Sequence, residues 1–207
     1  MTEAEAKERL DVPRETIERL EAFVELLKAE NARQNLVSKA SLDAVWERHI
    51  LDSVQLARFA PDARSWLDLG TGAGFPGLVI PLFHAAEMVL VESRRLRTDF
   101  LRAAAETLGI SGRVEIVCAR LETLPARPFD AISARAFAPL PKLLALAERF
   151  STPETIWILP KGRNAKSELE AARSSWQGDF RLEPSLTDAE ARIVVASRVR
   201  QKPRGRF

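Results

Sequence analysis

Three glycines at alternate positions, Gly70, Gly72 and Gly74, follow the apolar run Trp66-Leu67-Asp68-Leu69 and precede Phe75-Pro76-Gly77. A strand that runs into such a turn and then into a helix is built to bring backbone against a ligand. Only glycine bends freely at positive φ and leaves no Cβ in the way. Three glycines in five residues weaken a fold unless something occupies the space they leave. Further along, Glu92 ends a second apolar segment, Leu121 and Glu122 follow a third, Arg135 a fourth and Lys161 a fifth. At the ends of successive strands these side chains would gather along one sheet edge, the edge where open α/β sheets bind ligands.

Two ligand classes compete for the turn. Gly72, Gly74 and Gly77 fit the dinucleotide pattern G-x-G-x-x-G, with Glu92 as the acid about 20 residues on. Gly70, Gly72 and Gly74, with Asp68 at the strand end, fit the pattern of S-adenosylmethionine sites instead. The dinucleotide register would bury a carboxylate and a glycine inside the strand, which is costly, and Pro76 removes an N–H that a pyrophosphate would need. S-adenosylmethionine carries no phosphate and a net positive charge, so Asp68, Glu92 and Glu122 favour it. Leu121 is then placed to pack on the adenine ring and Glu122 to accept from it.

Other residues have bland readings beside the functional ones. Arg135 and Lys161 serve either as salt-bridge partners or as contacts to cofactor or nucleic-acid substrate. His49 falls on an apolar stripe and reads as a packed, hydrogen-bonded histidine with Asp52 as its partner at i+3; the roles of the two stay open. Cys118 is expected to pack as a small apolar residue. One cysteine and two histidines leave no zinc cluster and no disulfide framework, so no metal is expected and a reducing cytoplasm fits. The first eight residues lack the apolar core of an export signal, and no run is long enough to span a membrane. Serine-hydrolase, P-loop and zincin motifs are absent.

The 207 residues are 46% apolar and 29% charged, enough for one compact unit. Formal net charge is only +2, but residues 1–30 hold nine acids against five bases, whereas residues 191–207 hold six bases and no acid. That asymmetry points to a polyanionic partner. Ile17, Leu20, Val24 and Leu27 recur at helical spacing after Pro13, giving a helix over 13–30. A second helix follows Ser41 as its cap and ends near Pro61. From Trp66 short apolar segments alternate with helical ones, the signature of βαβ units and a mostly parallel sheet. Strands are expected at 66–69, 88–92, 114–118, 129–133, 155–159, 181–183 and 192–199, with helices at 76–85, 94–108, 138–149 and 164–176. The fold class is therefore a Rossmann-like α/β domain with a seven-stranded sheet, residues 61–207, preceded by a two-helix extension, residues 1–60, packed on it.

Arg48-His49-Ile50-Leu51-Asp52-Ser53, the stretch Leu67 to Gly77, Val91-Glu92-Ser93 and Ser133-Ala134-Arg135-Ala136 together resemble the glucose-inhibited division protein B family over about residues 15–200. The resemblance implies a class I S-adenosylmethionine-dependent methyltransferase acting on guanine N7 of 16S ribosomal RNA in the small ribosomal subunit; a monomer is expected. It implies that Gly70 and Phe75 line the cofactor pocket, that Leu121 and Glu122 meet the adenosine, and that Arg135 completes the site. The chain departs from the family where Glu30 and Gln34 stand in place of aromatics and where Ala191-Arg192 replaces an Arg-His pair. Guanine N7 presents a lone pair, so no general base is required. Two rival readings are a methyltransferase of small molecules and an RNA-binding assembly protein that holds the cofactor without transfer.

Overall fold

The computed structural model describes residues 1–203, so the basic residues Arg204 and Arg206 lie outside the described part. Seven strands form one sheet: β1 (Ser65–Leu69), β2 (Glu87–Glu92), β3 (Val114–Cys118), β4 (Ala131–Ser133), β5 (Ile156–Lys161), β6 (Trp176–Pro184) and β7 (Arg192–Gln201). Their order is β3-β2-β1-β4-β5-β7-β6. The first five run parallel, and β7 is antiparallel to both β5 and β6. Successive residues alternate between faces: Trp66, Met88 and Leu90 join one apolar cluster, while Leu67, Leu69, Val89 and Val91 join the other. Both faces are covered, so the strands read as near-continuous apolar runs.

Three helices precede the sheet, α1 (Glu3–Glu8), α2 (Arg14–Gln34) and α3 (Lys39–Asp43), then a π-helical turn over Trp46–Leu51 that continues into α4 (Asp52–Val54). The extra helix α1 is started by a capping box of Thr2 and Glu5. The expected second helix begins earlier than Ser41, because Ser38 Oγ accepts from the Ser41 N–H and caps α3. Leu20, Phe23 and Leu27 of α2 are fully buried in the same cluster as Phe75, Leu90, Phe100 and Leu101. Glu30 and Gln34, the two departures from the family pattern, hydrogen-bond each other at 2.5 Å, and Gln34 Nε2 donates to the Leu96 carbonyl at 3.0 Å.

After the sheet begins, α5 (Arg95–Thr107), α6 (Leu140–Ala147) and α7 (Ala165–Arg173) match expectation. The helix expected over 76–85 does not form. That stretch is a chain of turns with one 3-10 turn at Ile80–Leu82. Pro76 and Pro81 contribute no N–H, and the Gly77 N–H is spent on Asp68. Cys118 is exposed rather than packed, because β3 is the edge strand.

Candidate active site

The glycine turn leaves β1 with its backbone pinned to β2, since the Gly70 and Thr71 N–H groups both donate to the Val91 carbonyl, at 2.8 and 3.2 Å. Gly70, Gly72 and Gly74 adopt φ of 62°, 58° and 91°, conformations costly for any residue with a Cβ. The Phe75–Pro76 peptide is cis. Asp68 was expected among the cofactor contacts, but the structure places it beneath the turn, with no exposure. Ser133 Oγ donates to its Oδ1 at 2.7 Å and the Gly77 N–H to its Oδ2 at 3.1 Å. Trp66 Nε1 in turn donates to Ser133 Oγ at 2.9 Å. This closed network fixes the far side of the turn from below. Burial pushes the Asp68 carboxyl up to about 6, against the pull of those hydrogen bonds.

Above the turn, a Cβ added at Gly72 would meet nothing nearer than the Gly70 carbonyl at 3.8 Å and Arg97 Nη1 at 3.9 Å. That space is bordered by Glu92, whose carboxylate accepts from the Arg94 N–H at 2.9 Å and from Arg97 at 3.5 Å. The loop after β3 is tied to the same strand end, because the Ala119 N–H donates to the Glu92 carbonyl. In it Leu121 is buried and Glu122 exposed. Gly70, Gly72, Gly74, Glu92, Leu121 and Glu122 thus share one sheet edge.

A cleft of about 790 Å³ adjoins this edge. Its walls come from the segment after α2, the π-helical turn, the end of β4, the end of β5 and the start of β7. Arg135 stands at the junction, with its guanidinium over the Phe75 ring at 5.2 Å, donating to the Arg48 carbonyl at 3.2 Å and paired with Asp52 at 3.6 Å. Asp52 is therefore not the partner of His49. It also accepts from Thr187 Oγ1 at 2.8 Å. His49 instead stacks on Phe75, with centroids 4.7 Å apart and planes 15° from parallel, and both its ring nitrogens are buried without a hydrogen-bond partner. Burial, then the nearby Arg135 and Arg48, hold its pKa down at about 3, so it is neutral at any working pH. Lys161, at the end of the neighbouring strand β5, also lines the cleft, paired with Glu168 at 2.9 Å and donating to the Ala138 carbonyl at 2.8 Å.

Sequence reasoning missed Phe137, whose ring lies directly on Gly70, and the Arg48–Asp188 pair at 3.1 Å that joins the π-helical turn to the loop before β7. Aromatic type and position after a strand end were a usable signal for Phe137; nothing in one chain announces a pair 140 residues apart. Among the described residues no group of three or more His, Cys, Asp or Glu is placed to hold a metal, and no helix is long and apolar enough to cross a membrane.

A family model described as "GidB: rRNA small subunit methyltransferase G" matches residues 16–192. A relative from Rhizorhabdus wittichii named "Ribosomal RNA small subunit methyltransferase G" is 53% identical over 211 residues, covering 100% of this chain and 96% of its own. One of the same name from Zymomonas mobilis is 48% identical, covering 98% of this chain and 96% of its own. Among solved structures, an O-methyltransferase from Bacillus cereus in complex with SAH superposes with a TM-score of 0.59 at 17% identity, over 84% of this chain and 90% of that one. A ribosomal protein L11 methylase from Lactobacillus delbrueckii subsp. bulgaricus gives 0.59 at 18% identity, over 72% and 76% of the two chains. These last two similarities speak for the fold.

Proposed function

The chain belongs to the GidB family of small-subunit ribosomal RNA methyltransferases, and from that premise we propose that it transfers a methyl group from S-adenosylmethionine to N7 of a guanine in 16S ribosomal RNA. The observation that carries the cofactor half is the turn itself: at Gly72 the missing Cβ opens onto free space edged by Glu92. The residues fit a cationic adenosyl ligand. Glu92 offers a carboxylate beside the turn, the bare backbone of Gly72 admits close approach, and Leu121 with Glu122 flanks the same edge. Phe75 supports the turn from the core side, and Asp68 holds it from beneath. S-adenosylmethionine supplies an electrophilic methyl on a sulfonium.

The cleft suits an acceptor that needs no deprotonation. His49, held neutral with a pKa of about 3, is too weak a base to take a proton. Asp68 is buried in its network, and Asp52 is engaged by Arg135, Thr187 and Gln55. Guanine N7 carries its lone pair already, so the residues have only to place the base in line with the methyl and keep water out. Such placement accounts for about 7 kcal/mol or more of barrier in good geometry. Arg135 and Lys161, at the ends of the neighbouring strands β4 and β5, act as positioning residues. In this reading residues 1–60 are a helical extension that buttresses the turn, residues 61–207 are the cofactor domain, and the place of action is the cytoplasm.

The test is transfer of radiolabelled methyl to small subunits lacking the modification, followed by borohydride–aniline cleavage, which breaks RNA only at N7-methylguanine. A single labelled, cleavable position is expected. Label on an exocyclic amine or a ribose, or none, overturns the proposal.

A further inference from the structure

The two halves of the site meet at one turn. The glycines and Glu92 form the cofactor half, while the 790 Å³ cleft beside them contains none of those residues. Phe137 belongs to both. Its ring lies so close on Gly70 that a Cβ there would run into it, and the same residue lines the cleft. Among the described residues, apart from the imidazole of His49, already stacked on Phe75 and buried, Phe137 is the one aromatic side chain in the lining. The remaining wall mixes aliphatic residues such as Leu36, Val37 and Ile193 with charged ones, Arg48, Asp52, Arg135, Lys161 and Arg192 among them.

The backbone of the segment that follows β4 is strained. Ala136 sits at φ 53°, a left-handed conformation that an alanine adopts at a cost and with no side-chain hydrogen bond to offset it. The reversal sends its neighbours apart: Arg135 goes to Asp52 and the Arg48 carbonyl, and Phe137 goes to Gly70. Strain of this kind persists where the surroundings hold it, and it clusters at sites that must present a side chain.

Resting on the methyltransferase reading above, we propose that Phe137 is the stacking platform for the target base, holding the purine over the cofactor turn at the junction of the two half-sites. Proteins that recognise single-stranded RNA bases do so on flat rings, since every base has a π-face. A base laid on the cleft side of this ring is adjacent to Gly70, hence to the methyl donor. Arg48, half-exposed in its pair with Asp188, and Arg192 line the same cleft and suit the flanking phosphates.

The experiment compares wild type, Phe137→Leu and Phe137→Tyr, each as the full-length chain, on small subunits lacking the modification, with S-adenosylmethionine affinity measured by calorimetry in parallel. Leucine keeps an apolar contact to Gly70 but removes the ring. The expected result is a fall of about 10- to 100-fold in kcat/KM for the particle, cofactor affinity within about threefold of wild type, and near-complete rescue by tyrosine. A leucine variant with wild-type kcat/KM overturns the proposal. So does one whose cofactor affinity falls as far as its activity, which would make the ring a cofactor contact. Wild-type protein that methylates no particle overturns the parent reading instead, and this proposal with it.

Discussion

His49, stacked on Phe75, and Asp68, beneath the glycine turn, are both buried and bend stability with pH in opposite directions. Asp68 titrates at about 6 in the fold against an ordinary 3.8. Between those values the native state keeps a proton that the unfolded chain has released, so this contribution to stability falls as pH rises. His49 titrates at about 3 against an ordinary 6.5. There the unfolded chain holds the proton that the native state refuses, and the contribution falls as pH drops. Each slope approaches about 1.4 kcal/mol per pH unit, so within the shared window they cancel. Relative to wild type, His49→Phe should gain stability as the pH falls below 6.5, whereas Asp68→Asn should gain it as the pH rises from 3.8 to about 6. Urea midpoints at several pH values check this, and parallel curves for the three proteins would refute it. The glycines divide by the same kind of local argument. Gly72→Ala meets only open space, so it should cost about 1 kcal/mol of strain yet weaken S-adenosylmethionine binding by at least about tenfold. At Gly74 the added Cβ would run into Leu78 and come within 3.1 Å of Leu101, so Gly74→Ala should lose about 1–3 kcal/mol more in overpacking. Thermal melting and calorimetry on both variants separate the two effects.

Among the elements, α2 shows how far from the cleft the turn is supported. Phe23 is fully buried, 5.5 Å from the Phe75 ring and 6.4 Å from Phe100. Phe23→Ala should destabilise by about 3–5 kcal/mol. By loosening Phe75 it should also weaken cofactor binding measured well below the melting temperature, although Phe23 does not line the cleft. Unchanged affinity in a folded variant would mean that Phe75 is held from elsewhere. The main elements were legible because apolar runs such as Val89-Leu90-Val91 are buried on both faces and need no context to be recognised. The alternation of strands and gaps that suggests a helix over 76–85 says nothing of where N–H groups go: here Pro76 and Pro81 have none, and Asp68 takes that of Gly77, so the helix does not form. Asp68 itself carried a signal: two residues from the buried Trp66, it shares that inward face by strand alternation. The glycine turn was readable because its constraint is local to the backbone. The Asp52–Arg135 pair and Phe137 over Gly70 were not, since each joins segments far apart in the chain, and His49 was assigned Asp52 because proximity in a helix suggested a partner that Arg135 takes.

Over the whole molecule, the described part of the basic C-terminal segment, Arg192 to Lys202, is not one patch. The register of β7 on β5 sets Arg192 opposite Lys161, at the cleft end of the sheet. The strand then runs away from it, so that Arg200 pairs with Gln177 and the Lys202 ammonium reaches the Arg173 carbonyl. Eight residues of extended chain separate Arg192 from Arg200, about 26 Å. That is more than two Debye lengths at physiological salt, so the far charges add little to the field at the cleft. Arg198 is further neutralised by its pair with Asp179. Arg163 is also paired, with Glu190 at 2.9 Å, but it is exposed beside Gly162 of the cleft wall, so it and Arg192 are by position the basic residues of the C-terminal half best placed to meet phosphates as the RNA enters. Each phosphate contact contributes about 0.7–0.9 to the slope of log K against log salt. Replacing both arginines with glutamine should reduce the slope for RNA binding by about 1 to 2, while the same exchange at Arg200 and Lys202 should leave it unchanged. Filter binding across a salt series decides the matter: equal losses from the two pairs would mean that the RNA runs along the length of β7, and that its path extends well beyond the cleft.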